Sequence, residues 1–247
     1  MKKIISLILL FISFNLIRAQ EEGGDVGWVA RFGIAGGITP TWIIPNLDPV
    51  NVEIKRAGLE ELSNSGMVLW GGGGYAYIMF VDNLRIGGIG LSGTASTDGK
   101  VGNMNKEIKY NYGFGGLTVE YTLPFVKYVG VSVGAIIGAG SQSIEIYQNS
   151  GSQSWRDIWD KVNSGGIVMT NNVSDEITDT FFLFTPTLNV DIPINRFVAL
   201  RIGGGYTLTL GNDWSANNDN STSGVPDDLD ANNFFIQTGI YFGFFAY

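Results

Sequence analysis

The last seven residues of the chain, Tyr241-Phe-Gly-Phe-Phe-Ala-Tyr247, include five aromatic side chains. Chain ends usually fray, so a terminus with this much apolar surface is expected to be held in regular structure. The stretch therefore predicts a strand tied into a sheet whose outer face meets lipid. One face of this strand carries Ile236, Ile240, Phe242 and Phe244. Phe245 and Tyr247 have the other parity, which a β-bulge or an interfacial aromatic girdle would explain.

The first nineteen residues have the pattern of a secretory signal peptide. Lys2 and Lys3 precede a mostly apolar run over 4–14, and Ala19 is a small residue suited to a cleavage site. The run is too short to cross a bilayer as a helix. We therefore expect residues 1–19 to be removed and residues 20–247 to form one exported domain.

Eight segments have the length of strands that cross a membrane, which need roughly 9–11 residues each. The predicted strands are 28–39, 67–80, 84–96, 106–123, 128–147, 178–192, 197–211 and 233–247. Three connectors are short (81–83, 124–127 and 193–196), and four are long (40–66, 97–105, 148–177 and 212–232). Short and long connectors alternate strictly, which is typical of bacterial barrels with tight turns at one end and larger loops at the other.

Apolar and polar residues also alternate within the predicted strands. In 197–211, an apolar face opposes a face that carries Arg201, Thr207 and Thr209. Segments 182–192 and 129–138 show the same period of two, which is the pattern of a barrel with its apolar face outward. A soluble barrel with the apolar face inward would show the same alternation, so the export signal and the terminal aromatic residues favour lipid.

Five charged residues fall on the predicted inner face, near the periplasmic ends of their strands, which are the ends opposite the long connectors. They are Arg31, Arg85, Glu120, Asp191 and Arg201. The interior of an eight-stranded barrel is just wide enough for side chains to fill it, and an unpaired buried charge costs several kcal/mol. These residues are therefore predicted to form an ion-pair network that fills this half of the lumen. The alternative is that some of them lie at the interface and extend their charged groups to water.

Taken together, the signal peptide, the eight strands, the connector pattern and Phe245-Ala-Tyr247 resemble the small OmpA/OmpX-like outer-membrane barrels. The resemblance covers essentially all of residues 20–247. It implies an all-β fold, an eight-stranded antiparallel up-and-down transmembrane β-barrel with short periplasmic turns and long extracellular loops. It also implies a Gram-negative-type outer membrane, with both termini in the periplasm. Tyr241, Phe245 and Tyr247 would then form the closing-strand signal for the barrel assembly machinery, and outer-membrane lipid and lipopolysaccharide would be partners.

The composition argues against an enzymatic function and against nucleic-acid binding. The chain contains no histidine, the usual general base of outer-membrane barrel enzymes, and no cysteine. Binding to nucleic acid requires basic side chains that neutralise its phosphates, whereas this chain has a net charge of −8. Gly130-Val-Ser132-Val-Gly134 has the spelling of a nucleophile elbow, and residues 88–93 that of a dinucleotide fingerprint, but both fall within predicted strands without a following helix. We expect no enzyme activity, no cofactor and no dedicated metal site.

Two loops carry further candidate sites. The last long connector contains five aspartates, Asp213, Asp219, Asp227, Asp228 and Asp230, which indicate a solvated acidic surface or a weak divalent-cation loop. In 148–177, a helical spacing joins four apolar residues, Trp155, Ile158, Trp159 and Val162. This short amphipathic helix is predicted to anchor at the barrel rim or at the level of the lipid headgroups, or to serve as a lid or partner contact. A weaker helix is predicted over 52–62.

The leading functional hypothesis is a non-enzymatic structural or surface-interaction barrel that displays its loops outside. The alternative is a small channel or a transport barrel for hydrophobic solutes. A soluble periplasmic lipid-binding barrel is a third, weaker hypothesis.

Overall fold

The protein is described by a computed structural model that covers residues 32–78, 80–126, 129–151, 154–163, 172–211, 213–217 and 220–246. The strands are β1 (Phe32–Ile38), β2 (Thr41–Ile44), β3 (Met67–Tyr77), β4 (Leu84–Val101), β5 (Met104–Thr122), β6 (Gly130–Asn149), β7 (Val173–Asn195), β8 (Val198–Leu210), β9 (Ser215–Ala216), β10 (Asn220–Ser221) and β11 (Asn233–Ala246). The helices are α1 (Asp48–Arg56) and α2 (Trp155–Asn163). Within the described ranges, no helix is both long enough and apolar enough to cross a membrane.

The strands close into a hydrogen-bonded ring with eight antiparallel positions. Each position, called a stave below, is one strand or, in one case, two successive strands. β1 and β2 together form the first stave, because both pair with β3 on one side and with β11 on the other. Pro40, which has no N–H to donate, separates them, yet its carbonyl accepts a hydrogen bond from Thr238 N at 3.0 Å. From β3 to β8 each strand pairs with the next, and β8 pairs with β11. The predicted eight-stranded antiparallel barrel is confirmed.

The outer face of the ring is apolar. Every stave contributes exposed hydrophobic side chains, among them Ile34, Trp42, Val68, Ile86, Leu117, Ile137, Leu188, Ile202 and Ile240. In β11, Phe242 and Phe244 are 59% and 46% exposed, on the face that the sequence predicts. The pairing of β11 with β1 runs from Ile240 to Ala246 without a register shift. The side chain of Phe245 and all of Tyr247 lie outside the described residues.

The inner face has two layers of different chemistry. Near the end with the short connectors, here the turn end, it is polar and charged. Toward the opposite loop end it is an apolar and aromatic core that includes Leu69, Leu91, Tyr110, Tyr112, Phe114, Ile136, Phe181, Leu183 and Phe235. The lumen is therefore packed with side chains over much of its length, as the diameter of an eight-stranded barrel allows.

One predicted long connector is wrong. β4 continues to Val101 and β5 begins at Met104, so the segment 97–105 is the tip of a hairpin with Gly102 and Asn103 in the turn. Gly102 has φ +63°, a conformation that glycine adopts without steric cost. The strands extend past the apolar part of the barrel, where their outer face is exposed and their inner face is half-buried beside the first long connector. The hydrophobic alternation that marks a strand is lost there, and the polar sequence reads as a loop.

The helices differ in how well the sequence places them. Helix α2 spans Trp155–Asn163, where the apolar spacing predicts a helix. Helix α1 spans Asp48–Arg56 rather than the predicted 52–62. Pro49 in its first turn favours a helix start at this point. Gly58, with φ +81°, follows its end and cannot be replaced there without strain.

Candidate functional site

Two cross-strand pairs build a charge cluster inside the barrel, near the turn end. Arg85 of β4 lies directly opposite Glu120 of β5 in the sheet register. Asp191 of β7 lies opposite Arg201 of β8 in the same way. Since side chains alternate between the two faces of a strand, these pairings direct all four side chains into the lumen. The name charge cluster is used below for these four residues.

The two pairs also join each other across the lumen. Arg201 donates to Asp191 Oδ1 from Nε at 2.7 Å and to Glu120 Oε1 from Nη1 at 3.0 Å. Its Nη2 donates to Asp191 Oδ2 at 3.0 Å and to Glu120 Oε2 at 3.2 Å. Arg85 donates to Glu120 Oε2 from Nη2 at 2.6 Å and to Asp191 Oδ2 from Nη1. Each arginine therefore contacts both carboxylates.

Aromatic rings cover the faces of both guanidinium groups. The Cζ atoms of Arg85 and Arg201 lie 4.4 and 4.8 Å from the centroid of the Tyr75 ring. Arg201 also lies 4.8 Å from the Tyr241 ring centroid, and Arg85 lies 5.7 Å from that of Tyr77. Cation–π contacts of this kind stabilise more strongly when they are shielded from water, and Tyr75 and Tyr241 are buried.

Neutral polar side chains occupy the remaining edges of the charge cluster. Ser132 Oγ accepts from Arg85 Nη2 at 2.5 Å. Asn189 Nδ2 donates to Glu120 Oε1 at 3.0 Å, and its Oδ1 accepts from Gln237 Nε2 at 2.5 Å. These contacts bring residues from seven of the eight staves together, from β3 to β8 and β11.

The charge cluster is buried and electrically balanced. Its two arginines and two carboxylates are between 1% and 6% exposed. Beside it lies a cavity of only ≈10 Å³, lined by Thr118, Thr187 and Tyr241 among others. A single water molecule needs about this much space. At this level, the side chains leave little room for a solute.

The structure brings four of the five predicted lumen residues together, while Arg31 lies outside the described residues. Three further residues, Tyr75, Asn189 and Gln237, belong to the site but were not among its predicted residues. Asn189 shares the inward parity of Asp191, two residues further along β7, and this signal could have revealed it. Tyr75 and Tyr77 share a parity on β3, but nothing in the sequence indicates that Tyr75 contacts both arginines.

Of the three residues predicted as the closing-strand assembly signal, Tyr241 is 2% exposed and faces the lumen. The Phe245 side chain and Tyr247 lie outside the described residues. The two catalytic-looking motifs lie within β6 and β4, and Ser132 is a fully buried hydrogen-bond acceptor for Arg85. The serine therefore has a structural contact in place of a base partner.

The candidate loop sites are spread over the surface. Trp155 and Trp159 are 77% and 48% exposed, with ring centroids 5.7 Å apart, while the side chains of Ile158 and Val162 lie outside the described residues. In the last connector, Asp230 accepts hydrogen bonds from Asn232, and Asp219 lies outside the described residues. Across the described ranges, no group of three or more acidic, histidine or cysteine side chains is placed to hold a metal ion.

A second polar chain crosses the interior closer to the loop end. Tyr110 Oη donates to Gln142 Oε1 at 2.9 Å, and Gln142 Nε2 donates to Asp179 Oδ2 at 3.2 Å. Toward the loop end, Phe182 is the last exposed apolar side chain of β7, and the outer face beyond it is polar. Asp179 lies beyond this point and therefore outside the apolar outer surface of the barrel. Burial raises the pKa of the Asp179 carboxyl above its ordinary value of 3.8. Hydrogen bonds from the Gln142 side chain and from the Asp213 backbone oppose this rise, and the charge of Asp213 adds to it.

No protein-family model and no curated protein sequence matches the chain. The chain is similar to solved structures of small outer-membrane β-barrels. Ail, the attachment invasion locus protein of Yersinia pestis, solved with the heparin analogue sucrose octasulfate, is 11% identical at a TM-score of 0.44, covering 87% of this chain and 99% of Ail. OprG of Pseudomonas aeruginosa is 10% identical at a TM-score of 0.43, covering 90% and 100%. A major outer membrane protein from Thermus thermophilus is 9% identical at 0.40, covering 86% and 99%.

Proposed function

We propose that this protein is a non-enzymatic outer-membrane β-barrel that acts through its exposed loops while its lumen stays closed. The observation that carries the proposal is the charge cluster, which joins four staves across the interior, contacts side chains from three more, and has beside it a cavity of only ≈10 Å³. The apolar and aromatic core toward the loop end fills the lumen further. A hydrated solute would have to displace both layers in order to pass.

The membrane location is supported by the outer surface and by ring closure. In hydrocarbon, backbone N–H and C=O groups must be satisfied internally, which a closed barrel achieves. The exposed hydrophobic side chains on all eight staves would form a contiguous apolar band in water, far larger than soluble monomers usually expose. This band argues against the soluble periplasmic alternative. The proposal includes removal of residues 1–19 and a barrel domain over 20–247.

In this proposal the loop end faces outward and both termini lie in the periplasm. The loops would contact lipopolysaccharide or another envelope or cell-surface partner, with Trp155 and Trp159 of α2 at the rim. The closing strand would contact the barrel assembly machinery during biogenesis. A sulfated ligand such as that in the Ail structure is not expected, because the chain has a net charge of −8 and exposes Asp227 and Asp228.

Conductance in planar lipid bilayers tests the closed lumen. Purified, refolded protein that shows the heat-dependent gel mobility shift of a folded barrel should insert without unitary conductance steps. Because the chain has no cysteine, Ser132→Cys provides a second readout in lipid vesicles. A water-soluble maleimide should not label it, whereas it should label Asn103→Cys at the exposed hairpin tip. Stable unitary steps, or rapid labelling at position 132, would support the transport alternative.

Cysteine labelling of intact cells tests the orientation. Asn103 lies at the tip of the β4–β5 hairpin, and Arg196 lies in the β7–β8 turn at the opposite end. Both residues are exposed. A membrane-impermeant maleimide should label Asn103→Cys on whole cells and Arg196→Cys only after the outer membrane is permeabilised. The reverse pattern would invert the proposed topology, and equal labelling of both in a soluble extract would refute the membrane location.

A further inference from the structure

An apolar cavity of ≈370 Å³ lies at the loop end of the barrel, apart from the charge cluster. The barrel strands contribute Ile108, Ile144, Ile146 and Ile177 to its wall. Helix α1 contributes Val50 and Ile54, and the last connector contributes Trp214, Thr222, Val225 and Leu229. This mouth cavity, defined by these ten residues, is near the lower end of the size range of small-molecule sites, ~300–1,000 Å³.

Directed contacts hold the roof of the mouth cavity in place. Asn51, on α1, donates to the carbonyl of Leu62 at 3.0 Å and accepts from its backbone N–H at 2.7 Å. Lys106 Nζ of β5 donates to the carbonyl of Ala57, just after α1, at 2.7 Å. Asn46 Nδ2 donates to the carbonyl of Asp228 at 2.9 Å, which joins the first loop to the last. The cavity is thus a built feature of the fold rather than a gap between independent loops.

The lining specifies the chemistry of an occupant. Five isoleucines share the wall with other aliphatic side chains and Trp214, so a hydrocarbon body would be favoured there. The charge of Glu53, at the edge, is balanced by Arg56, whose Nη1 lies 2.5 Å from Glu53 Oε1. An anion would find no positive side chain in the lining.

Two residues of the lining carry polar atoms that are available for a hydrogen bond to a ligand. Trp214 Nε1 and Thr222 Oγ1 are buried and have no hydrogen-bond partner in the described part of the chain. A buried donor without a partner costs about 1–3 kcal/mol. A ligand with one hydroxyl or carbonyl group could satisfy such a donor after a small shift of the connector that carries both residues.

We propose that the mouth cavity binds a small neutral amphiphile, with a hydrocarbon body and a single hydroxyl or carbonyl group. The site captures its ligand and does not pass it through the barrel. Tyr110, Tyr112 and Phe114 fill the interior behind Ile108 on the same face of β5. Glu120 of the charge cluster lies twelve residues beyond Ile108, ~40 Å along the strand.

Methyl NMR of the full-length refolded protein in deuterated micelles tests this inference. The probe is 2-naphthol, which is neutral and shifts nearby methyl signals through its ring current. The δ1 methyls of Ile54, Ile108, Ile144, Ile146 and Ile177 should show saturable shifts. The outward-facing Ile137, Ile202 and Ile236 report only partition of the probe into the micelle, so their shifts should rise without saturation. The anionic analogue 2-naphthalenesulfonate should bind at least about tenfold more weakly.

A matched pair of variants separates the cavity from the micelle. Val225→Trp fills the cavity from the connector without altering a strand, and it should abolish the saturable shifts. Val133→Trp adds the same ring to the outer face and should leave them intact. Should Val225→Trp fail the gel mobility test of folding, Ile144→Phe fills the same space from β6. Identical titration curves for lining and outward isoleucines, or unchanged binding in a folded cavity-filling variant, would overturn the inference. Neither result would bear on the closed lumen, which conductance measures separately.

Discussion

Replacing Arg201 by methionine should destabilise the folded barrel by ~3–5 kcal/mol, the typical cost of removing one partner from a buried ion pair. Arg201 makes four hydrogen bonds to Glu120 and Asp191. Without it, Arg85 alone faces both carboxylates, and a balanced cluster becomes a buried net charge of −1. The Tyr75 and Tyr241 rings also lose their contact with this guanidinium.

Urea unfolding in lipid vesicles, followed by tryptophan fluorescence and by gel mobility, measures this cost. Adding Asp191→Asn to the Arg201 variant restores the charge balance, so the double variant should be more stable than the single one by at least about 1 kcal/mol. Lys55→Met is the surface control: it breaks the exposed Lys55–Glu61 pair, whose N–O distance is 2.9 Å, and should cost under about 1 kcal/mol. If Arg201→Met costs no more than Lys55→Met, or the second substitution only adds to the loss, the reasoning is refuted.

Two further predictions concern packing and pH. An added Cβ at Gly203 would lie 1.9 Å from Asn189 Oδ1, whereas one at Gly90 meets nothing within 4 Å. Gly203→Ala should therefore cost about 1–3 kcal/mol in urea unfolding and Gly90→Ala about 0.5 kcal/mol or less, and equal costs would contradict the packing. The raised pKa of Asp179 means that the folded protein binds a proton there more tightly than the unfolded chain does, so this group lowers stability as pH rises from 3.8 through the raised pKa. The Asp179→Asn variant has no ionisable group at this position and therefore does not lose folding stability in this way. Its free energy of unfolding relative to wild type should increase between about pH 3 and about pH 7. A difference that does not change with pH would contradict the assignment.

The strand alternation was sufficient to predict the barrel and the direction of its charged residues. A period of two assigns each side chain to one face, and the short connectors indicate which strand ends lie together. Arg85, Glu120, Asp191 and Arg201 share the inner face and the turn end, so their proximity follows from topology. The ring contact of Tyr75 with both arginines depends instead on stagger and side-chain rotamers, which a sequence pattern does not encode.

The loop end was harder to predict because the physical signals change there. Beyond the apolar outer face, β4 and β5 carry few apolar side chains, and the hairpin tip at Gly102 has the composition of a loop. The aromatic core around Tyr110 and Phe181 also departs from the simple expectation of a polar interior. On β5, Tyr110, Tyr112 and Phe114 alternate with asparagine or glycine positions on the outer face, so there the sequence resembles an inward-facing core. On β7, Phe181 is followed by the exposed Phe182, so both faces are apolar at that point.

The central claim is that hydrocarbon, and not water, covers the apolar outer face of the ring. Spin labels at Phe182, Phe184 and Leu188 on the outer face of β7, compared with one at Arg196 in the turn, test it directly in reconstituted vesicles. The three outer-face labels should collide readily with oxygen and rarely with a water-soluble nickel complex, while the turn label should show the reverse. Ready collision of the outer-face labels with the nickel complex would contradict the claim.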